Sequence, residues 1–367
     1  MKIMYDHQIF SMQIYGGVSK YFCELLKRIP SSDWETTTII SNNEYIRNQR
    51  LFKYCNFMPD HYFKGKATLM ECLNRPYSLY KLKYGDYDVL HQTDFASYYF
   101  PQIKGRRMVT TFHDMNYTKY KEMYKNTATN NVNDREMLQK KSVERADKVI
   151  AVSHNTKNDL VNEWNIDPDK IVVIHHGVDK NKIRNLDETR ISTNPYVLFV
   201  GERYGFKNFY RFIKAFAIFS EKNPDLRLVC TGRAFSEDEK SEMKNLNVFE
   251  KVIQVSASER TMAKLYRDAE MFVYPSYSEG FGMPILEAMV YDCPVVVSDA
   301  SCLPEAAGDA GIYFDPFQIE DIADKMETLL NSADLRREKV ALGMKQLDKF
   351  SWEKSAQEHI AVYQSLI

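Results

Sequence analysis

The stretch Met271-Phe-Val-Tyr-Pro275-Ser-Tyr-Ser-Glu279-Gly-Phe-Gly-Met-Pro284-Ile-Leu-Glu287 reads as a strand, a glycine-containing loop and a helix. The apolar run Met271–Pro275 has the length and residue types of a buried strand. Gly280 and Gly282 let backbone amides approach a ligand. Pro284 suits the first turn of the helix that runs on through Glu287. The N-terminus of such a helix attracts anionic or strongly polar groups. Glu279 falls in the loop and Glu287 one turn inside the helix, so two carboxylates flank one helix entrance. They can grip separate parts of a single polar ligand.

Outward from this stretch, the same rhythm of strand, turn and amphipathic helix fills the chain. Strands are expected at Lys2–Asp6, Thr36–Ser41, Asp88–Gln92, Arg107–Phe112, Lys148–Val152 and Ile171–Ile174. A second series is expected at Tyr196–Val200, Leu226–Thr231, Val252–Val255, Met271–Pro275, Pro294–Ser298 and Gly311–Phe314. Val18, Tyr21, Phe22, Leu25, Leu26 and Ile29 mark one face of a helix that Pro30 stops. Continuous apolar strands alternating with helices predict an α/β fold with parallel sheets covered on both faces. The chain of 367 residues exceeds what a single core usually supports. The turn-rich tract Thr189–Pro195 is the expected linker. It separates a first domain, 1–190, from a second, 191–350. A last helix at 351–367 is a candidate to cross back to the first.

Bulk composition narrows the function. Net charge is -1, with 44% apolar and 27% charged residues, which speaks against nucleic acid as a partner. The six cysteines are scattered, with no Cys-x-x-Cys pair and no zinc spacing, as expected of free thiols in a reducing compartment. Met1 leads directly into the first strand, and no apolar run is long enough to span a bilayer. The expectation is a cytoplasmic protein, or one peripheral on the cytosolic face of a membrane.

Three further places carry polar groups at the carboxyl ends of expected strands, where ligands of open α/β sheets bind. Gly16-Gly17 opens the first helix, and its plain structural reading is a tight turn. His113 and Asp114 leave the strand Arg107–Phe112, where a histidine can donate to a sugar hydroxyl or phosphate, or simply cap its own strand. Arg203 and Lys207 lie four residues apart, just after Tyr196–Val200 and before a helix starting near Asn208. A fixed cation pair there would stabilise charge developing on a departing diphosphate. The segment Tyr54–Tyr87 interleaves Lys64, Lys66, Arg75, Lys81 and Lys83 with Tyr62, Phe63, Tyr77, Tyr80 and Tyr84. Such a segment can dock on an anionic membrane, although a solvated helix-and-loop face is the plainer reading.

Taken together, Glu279-x7-Glu287, the Gly16-Gly17 turn, His113, Ser153, His176-Gly-Val-Asp179, Arg203, Lys207, Val255-Ser256 and Pro304-Glu305 resemble the family-4 retaining glycosyltransferases. His176 departs from the pattern, standing where Asn is common. The resemblance implies a GT-B fold, with two Rossmann-like domains whose parallel sheets face across a deep cleft. It implies a nucleotide-sugar donor in the second domain and a saccharide or lipid-linked acceptor in the first. By the resemblance, Glu287 would hold the ribose and Glu279 would lie by the donor sugar. Arg203 and Lys207 would hold the diphosphate. The backbone of Gly280, Phe281, Gly282 and Met283 would meet the sugar hydroxyls. His113 would bond the sugar or phosphate, Gly16 and Gly17 would flank the diphosphate, and Val255-Ser256 would meet the base. Asp114 would help orient the acceptor.

The implied reaction moves a hexose from a UDP- or GDP-linked donor to a glycan or lipid-linked saccharide, with retention at the anomeric carbon. Surface polysaccharide or glycolipid assembly is the implied setting. No cofactor and no metal are expected, because Arg203 and Lys207 would take the place of a cation and no Asp-x-Asp lies at the carboxyl end of a strand. Two alternatives stay open: a nucleotide-sugar 2-epimerase of the same fold, and a non-catalytic sugar-nucleotide-binding protein. A dinucleotide-dependent oxidoreductase is disfavoured, since no strand is followed by Gly-x-Gly-x-x-Gly.

Overall fold

A computed structural model describes residues 1–59, 61–124, 132–181, 186–187 and 189–367. The chain divides into two compact units. One comprises Met1–Thr118, Thr127–Gly177 and Trp352–Ile367, and the other Lys119–Asn126 and Val178–Ser351. The division after Gly177 precedes the expected linker at 189–195, and the short segment beginning at Lys119 belongs with the second unit.

The strands in chain order are β1 Ile3–Tyr5, β2 Trp34–Thr36, β3 Ile40–Ser41, β4 Cys55–Asn56, β5 Val89–Gln92, β6 Arg107–Phe112, β7 Lys148–Ala151 and β8 Ile171–Val173. The second unit carries β9 Tyr196–Phe199, β10 Arg227–Thr231, β11 Val252–Val255, β12 Met271–Tyr274, β13 Val295–Ser298 and β14 Gly311–Phe314. The first unit holds a six-stranded sheet in the order β2-β1-β5-β6-β7-β8, the second one in the order β11-β10-β9-β12-β13-β14. The pairings within both are parallel. In each sheet the strand order reverses once, between β1 and β5 and between β9 and β12. A crevice opens at the carboxyl edge where neighbouring connections leave for opposite faces.

Every residue of β9, β12 and β13 is buried, as strands sandwiched between helix layers must be. The helix Phe209–Lys222 shows why this layering is stable. Phe209, Phe212, Phe216 and Phe219 recur at helical spacing, and all are buried against Phe199, Leu228 and neighbouring strand residues. Each such phenylalanine contributes about 2 kcal/mol through removal from water.

One expected strand differs. The run expected over Thr36–Ser41 is two strands, β2 and β3, in different sheets. The break has a local and a distant cause. The hydroxyl of Thr36 accepts from the amide of Thr38 (3.1 Å), which turns the chain. The side-chain oxygen of Asn74 then accepts from the amides of Ile39 (2.9 Å) and Ile40 (3.0 Å). β3 leaves the large sheet to pair with β4.

The last helix, Trp352–Gln364, is part of the first unit. It is held there by buried polar contacts. The hydroxyl of Tyr363 lies 2.9 Å from that of Tyr5 and 2.6 Å from Nδ1 of His91. His359 Nε2 lies 2.5 Å from the Tyr21 hydroxyl. No described helix is long and apolar enough to cross a membrane.

Candidate functional site

The crevice between β9 and β12 gathers the polar groups of the second unit. Two residues after β9 stands Gly201, whose φ of +121° suits glycine alone. The chain then runs through Arg203 and a single 3-10 turn, Gly205–Lys207, into the helix beginning at Phe209. Asn208 takes a left-handed conformation (φ +57°) between the two. Its side-chain amide donates to the carbonyls of Pro275 (3.0 Å) and Pro316 (2.8 Å). The loop after β9 is thereby fixed to the loop after β12.

This geometry places Lys207 beside Glu279. Lys207 Nζ lies 2.7 Å from Oε1 of Glu279 and 3.0 Å from the hydroxyl of Tyr274. Both side chains are largely withdrawn from water, at 17% and 12% exposure, so their attraction is stronger than that of a surface pair. Tyr274 is buried at the last position of β12. Burial first, and the Glu279 charge second, hold its phenol well above the ordinary range. Tyr274 is a member of this cluster that sequence reasoning missed. The available signal was a phenol closing an otherwise apolar strand.

Arg203 was expected to share the diphosphate with Lys207, and its side chain has no exposure. Its guanidinium donates to Oε1 of Glu239 (3.2 Å) and to the carbonyls of Thr231 (2.7 Å), Arg233 and Ala234 (3.3 Å). The Phe235 ring lies 4.6 Å from the guanidinium carbon. Glu239 in turn completes a capping box with Ser236 at the start of the helix Glu237–Asn245. Arg203 therefore clasps the segment after β10. Its donors face protein acceptors rather than the crevice.

The glycine-rich loop has the form expected of it. Gly282, with φ +96°, caps the helix Met283–Val290, and Pro284 sits in the first turn. A Cβ there would come within 3.2 Å of Ile285 and of Leu303. Phe281 is buried and packs edge-to-face on Phe350, at 5.3 Å between ring centroids. Its side chain is core, which leaves only its backbone for a ligand. Glu287 lies one turn into the helix beside the buried Tyr266. Burial and that neighbouring carboxylate hold the Tyr266 phenol well above its usual range. Ser301, also missed from sequence, anchors the loop through the backbone of Glu279. Val255 ends β11 and Ser256 follows it, half-buried and exposed respectively, on the same carboxyl edge of the sheet.

In the first unit, Gly16 is the N-cap and Gly17 the first residue of the helix Gly17–Leu26. A Cβ on Gly17 would meet open space. His113 directly follows β6 and is enclosed by the rings of Tyr21 (5.1 Å) and His176 (5.8 Å). Burial pushes its pKa down to about 3, so the imidazole is neutral at pH 7. Its Nε2 is buried and has no hydrogen-bond partner among the described residues. Asp114 is half-buried, and its carboxylate accepts from the amide of Asn116 (3.0 Å). His176 stacks on Trp352 at 5.9 Å, a packing role.

Comparisons with known proteins bear on the family and the fold. Residues 15–182 match the family model described as Glycosyltransferase Family 4, and residues 181–342 match Glycosyl transferases group 1. The chain is 28% identical to O-antigen chain mannosyltransferase B of Escherichia coli over 295 residues, covering 77% of this chain and 75% of that one. It is 33% identical to O-antigen chain mannosyltransferase RfbU of Salmonella typhimurium over 182 residues, 49% of this chain and 50% of that one. Among solved structures, a glycosyltransferase from Rickettsia africae superposes with a TM-score of 0.72 at 18% identity, covering 100% of this chain and 98% of that one. Anabaena HepE, in complex with UDP and glucose, gives a TM-score of 0.73 at 17% identity with 100% of both chains covered. The fold shared with these glycosyltransferases is GT-B.

Proposed function

Because the chain belongs to glycosyltransferase family 4, whose enzymes retain configuration at the anomeric carbon, we propose that it moves a hexose from a UDP- or GDP-linked donor to a saccharide acceptor. The observation that carries this reading is the Lys207–Glu279 pair, 2.7 Å apart at the reversal point of the second sheet. A cation fixed there, with water largely excluded, stabilises negative charge on a departing nucleotide diphosphate. The bond from the anomeric carbon to the phosphate oxygen breaks as the bond to the acceptor oxygen forms. The departing phosphate oxygen takes the acceptor proton.

Each remaining group has a place in this scheme. Lys207 exchanges part of its contact with Glu279 for the diphosphate. Glu279, held by its backbone, supports positive character at the anomeric carbon. Glu287 binds the ribose hydroxyls, and the amides from Gly280 to Met283 read the sugar hydroxyls. Val255 and Ser256 border the base. In the first unit His113, neutral and with its buried Nε2 lacking a partner among the described residues, can offer a hydrogen bond to a sugar hydroxyl.

Mannose is the first sugar to test, since the two relatives compared above are named as O-antigen mannosyltransferases. A lipid-linked saccharide of surface-polysaccharide assembly is the matching acceptor class. The decisive experiment incubates the protein with GDP-mannose or UDP-glucose and follows nucleotide release with and without oligosaccharide acceptor. Acceptor-dependent release with an α-linked product is expected. Conversion of the sugar nucleotide without acceptor would replace transfer by epimerisation.

A further inference from the structure

Buried polar side chains of the first unit form one hydrogen-bonded chain. Its members in order are Tyr5, Tyr363, His91, Thr111, Tyr21 and His359, none more than 4% exposed. Successive polar atoms along it lie 2.9, 2.6, 2.9, 3.3 and 2.5 Å apart. Tyr5, His91 and Thr111 come from β1, β5 and β6. Tyr21 comes from the helix Gly17–Leu26, and His359 and Tyr363 from the helix Trp352–Gln364.

One end sets the direction of every bond. Nδ1 of His359 lies 2.6 Å from the carbonyl oxygen of Ser355, which can only accept. Nδ1 therefore carries the proton. Burial lowers the pKa of His359 to about 4, so the imidazole is neutral and its Nε2 is bare. Nε2 must accept from the Tyr21 hydroxyl. With that proton committed, Thr111 donates to Tyr21, and Nε2 of His91 donates to Thr111. His91 is also kept neutral by burial, so its Nδ1 accepts from Tyr363, which accepts from Tyr5. One proton order satisfies the whole chain, and a fully paired buried network of this kind is rigid.

The Tyr21 ring carries this order to His113. The two rings meet edge-to-face, with centroids 5.1 Å apart and planes at 89°. Nε2 of His113 has no hydrogen-bond partner among the described residues, so no bond at that atom fixes the imidazole. Neighbouring rings do so: Tyr21, Phe22 at 6.4 Å and His176 at 5.8 Å. Tyr21 is itself held at its hydroxyl by His359. We propose that His359 is a positioning residue for the transfer reaction, fixing through the Tyr21 hydroxyl the ring that aims His113 at the sugar. The proposal rests on the role given to His113 above. A clasp that merely docked the last helix would use the same bonds and leave His113 unaffected.

The test uses the full chain, isotope-labelled at histidine, with turnover followed as nucleotide release from GDP-mannose or UDP-glucose. NMR should show His359 as the Nδ1–H tautomer and His91 as the Nε2–H tautomer. His359→Phe keeps a ring and removes the acceptor. It should move the His113 ring resonances and lower kcat about tenfold with donor KM little changed, the worth of one hydrogen bond. His359→Gln, whose side-chain oxygen can accept from Tyr21, should restore most of both. Tyr21→Phe deletes one oxygen and serves equally if His359→Phe does not fold. It should cost as much as His359→Phe, and the double variant no more than either. With His113→Ala already present, His359→Phe should lower kcat no further. The tautomers and the His113 resonances are read without substrate. An Nε2–H tautomer at His359 overturns the proposal. So do unmoved His113 resonances in the folded variants, or a kcat loss that persists undiminished without His113. A His113→Ala variant that turns over like wild type overturns instead the role of His113 in the reaction.

Discussion

The hydroxyl of Ser301 holds both ends of one peptide residue: it accepts from the amide of Glu279 (3.3 Å) and donates to its carbonyl (3.1 Å). The thiol of Cys302 donates to the same carbonyl at 3.1 Å. Ser301 itself takes a left-handed backbone conformation, φ +60°, that favours glycine. A serine there accepts local strain and gives the loop after β12 a tether from the connection after β13. Removing the tether while relieving the strain separates the two effects. Ser301→Gly should leave Tm equal or higher, yet lower kcat about two- to tenfold with donor KM little changed, the worth of one hydrogen bond. An unchanged kcat would show that Glu279 needs no such support.

Lys207 and Glu279 are in contact with each other, and the proposed reaction assigns both to substrate. Lys207→Ala should lower turnover by on the order of 10²–10³. Glu279→Gln should cripple transfer while nucleotide still binds. Because the two groups are in contact, their effects should be far from additive in a double-mutant cycle. Additive losses would mean that they serve separate steps. Turnover in wild type should survive EDTA; full loss restored by Mg²⁺ or Mn²⁺ would assign the diphosphate charge to a metal instead.

Arg203 should behave as part of the framework. Arg203→Met removes one of the two guanidinium partners of buried Glu239 and leaves it Arg233, so the cost should reach at most about 3–5 kcal/mol, that of a fully broken buried pair. The change is measured as a shift in the urea midpoint. Nucleotide affinity per folded molecule should change little. A variant of normal stability that fails to bind nucleotide would return Arg203 to the site.

Acid should loosen the first unit. His113 and His359 are held neutral by burial, with pKa values pushed down to about 3 and about 4, and His7 to about 4. His91 and His176 are also held well below the ordinary 6.5, again chiefly by burial. Each binds fewer protons folded than unfolded, so its contribution is full above about pH 6.5 and is lost as pH falls. Asp6 opposes this: burial raises its carboxyl to about 6, so its contribution is present at low pH and lost as pH rises through that value. Five histidines outweigh one carboxyl, and Tm should drop between pH 6.5 and 4.5. A Tm independent of pH across that window would contradict the buried neutral assignments.

Much of this architecture was legible from local pattern. Alternating apolar runs and amphipathic helices mark the parallel sheets, because a doubly covered strand and a half-buried helix carry different periods. Gly282 marks the start of the helix after β12, because a left-handed cap before Pro284 favours glycine. What stayed hidden depends on partners distant in sequence. Arg203 and Lys207 look alike as two cations near a strand end. Only Glu239, 36 residues further on, decides that the first turns inward. Asn74 splits the run at 36–41 from more than 30 residues away. Ser301 sits 22 residues beyond Glu279, whose backbone it holds, with no spacing rule to connect them.

The helix Trp352–Gln364 reaches Tyr5 through Tyr363, across 358 residues of chain. On a ribosome, that contact cannot form until Tyr363 has emerged. Residues 178–351 can complete their own core first, while the earlier-made segment still lacks the surface that covers Tyr21 and His91. The order of maturation is thus the reverse of the order of translation. A chain stopped after Ser351 should be captured by chaperones through its first half and not its second.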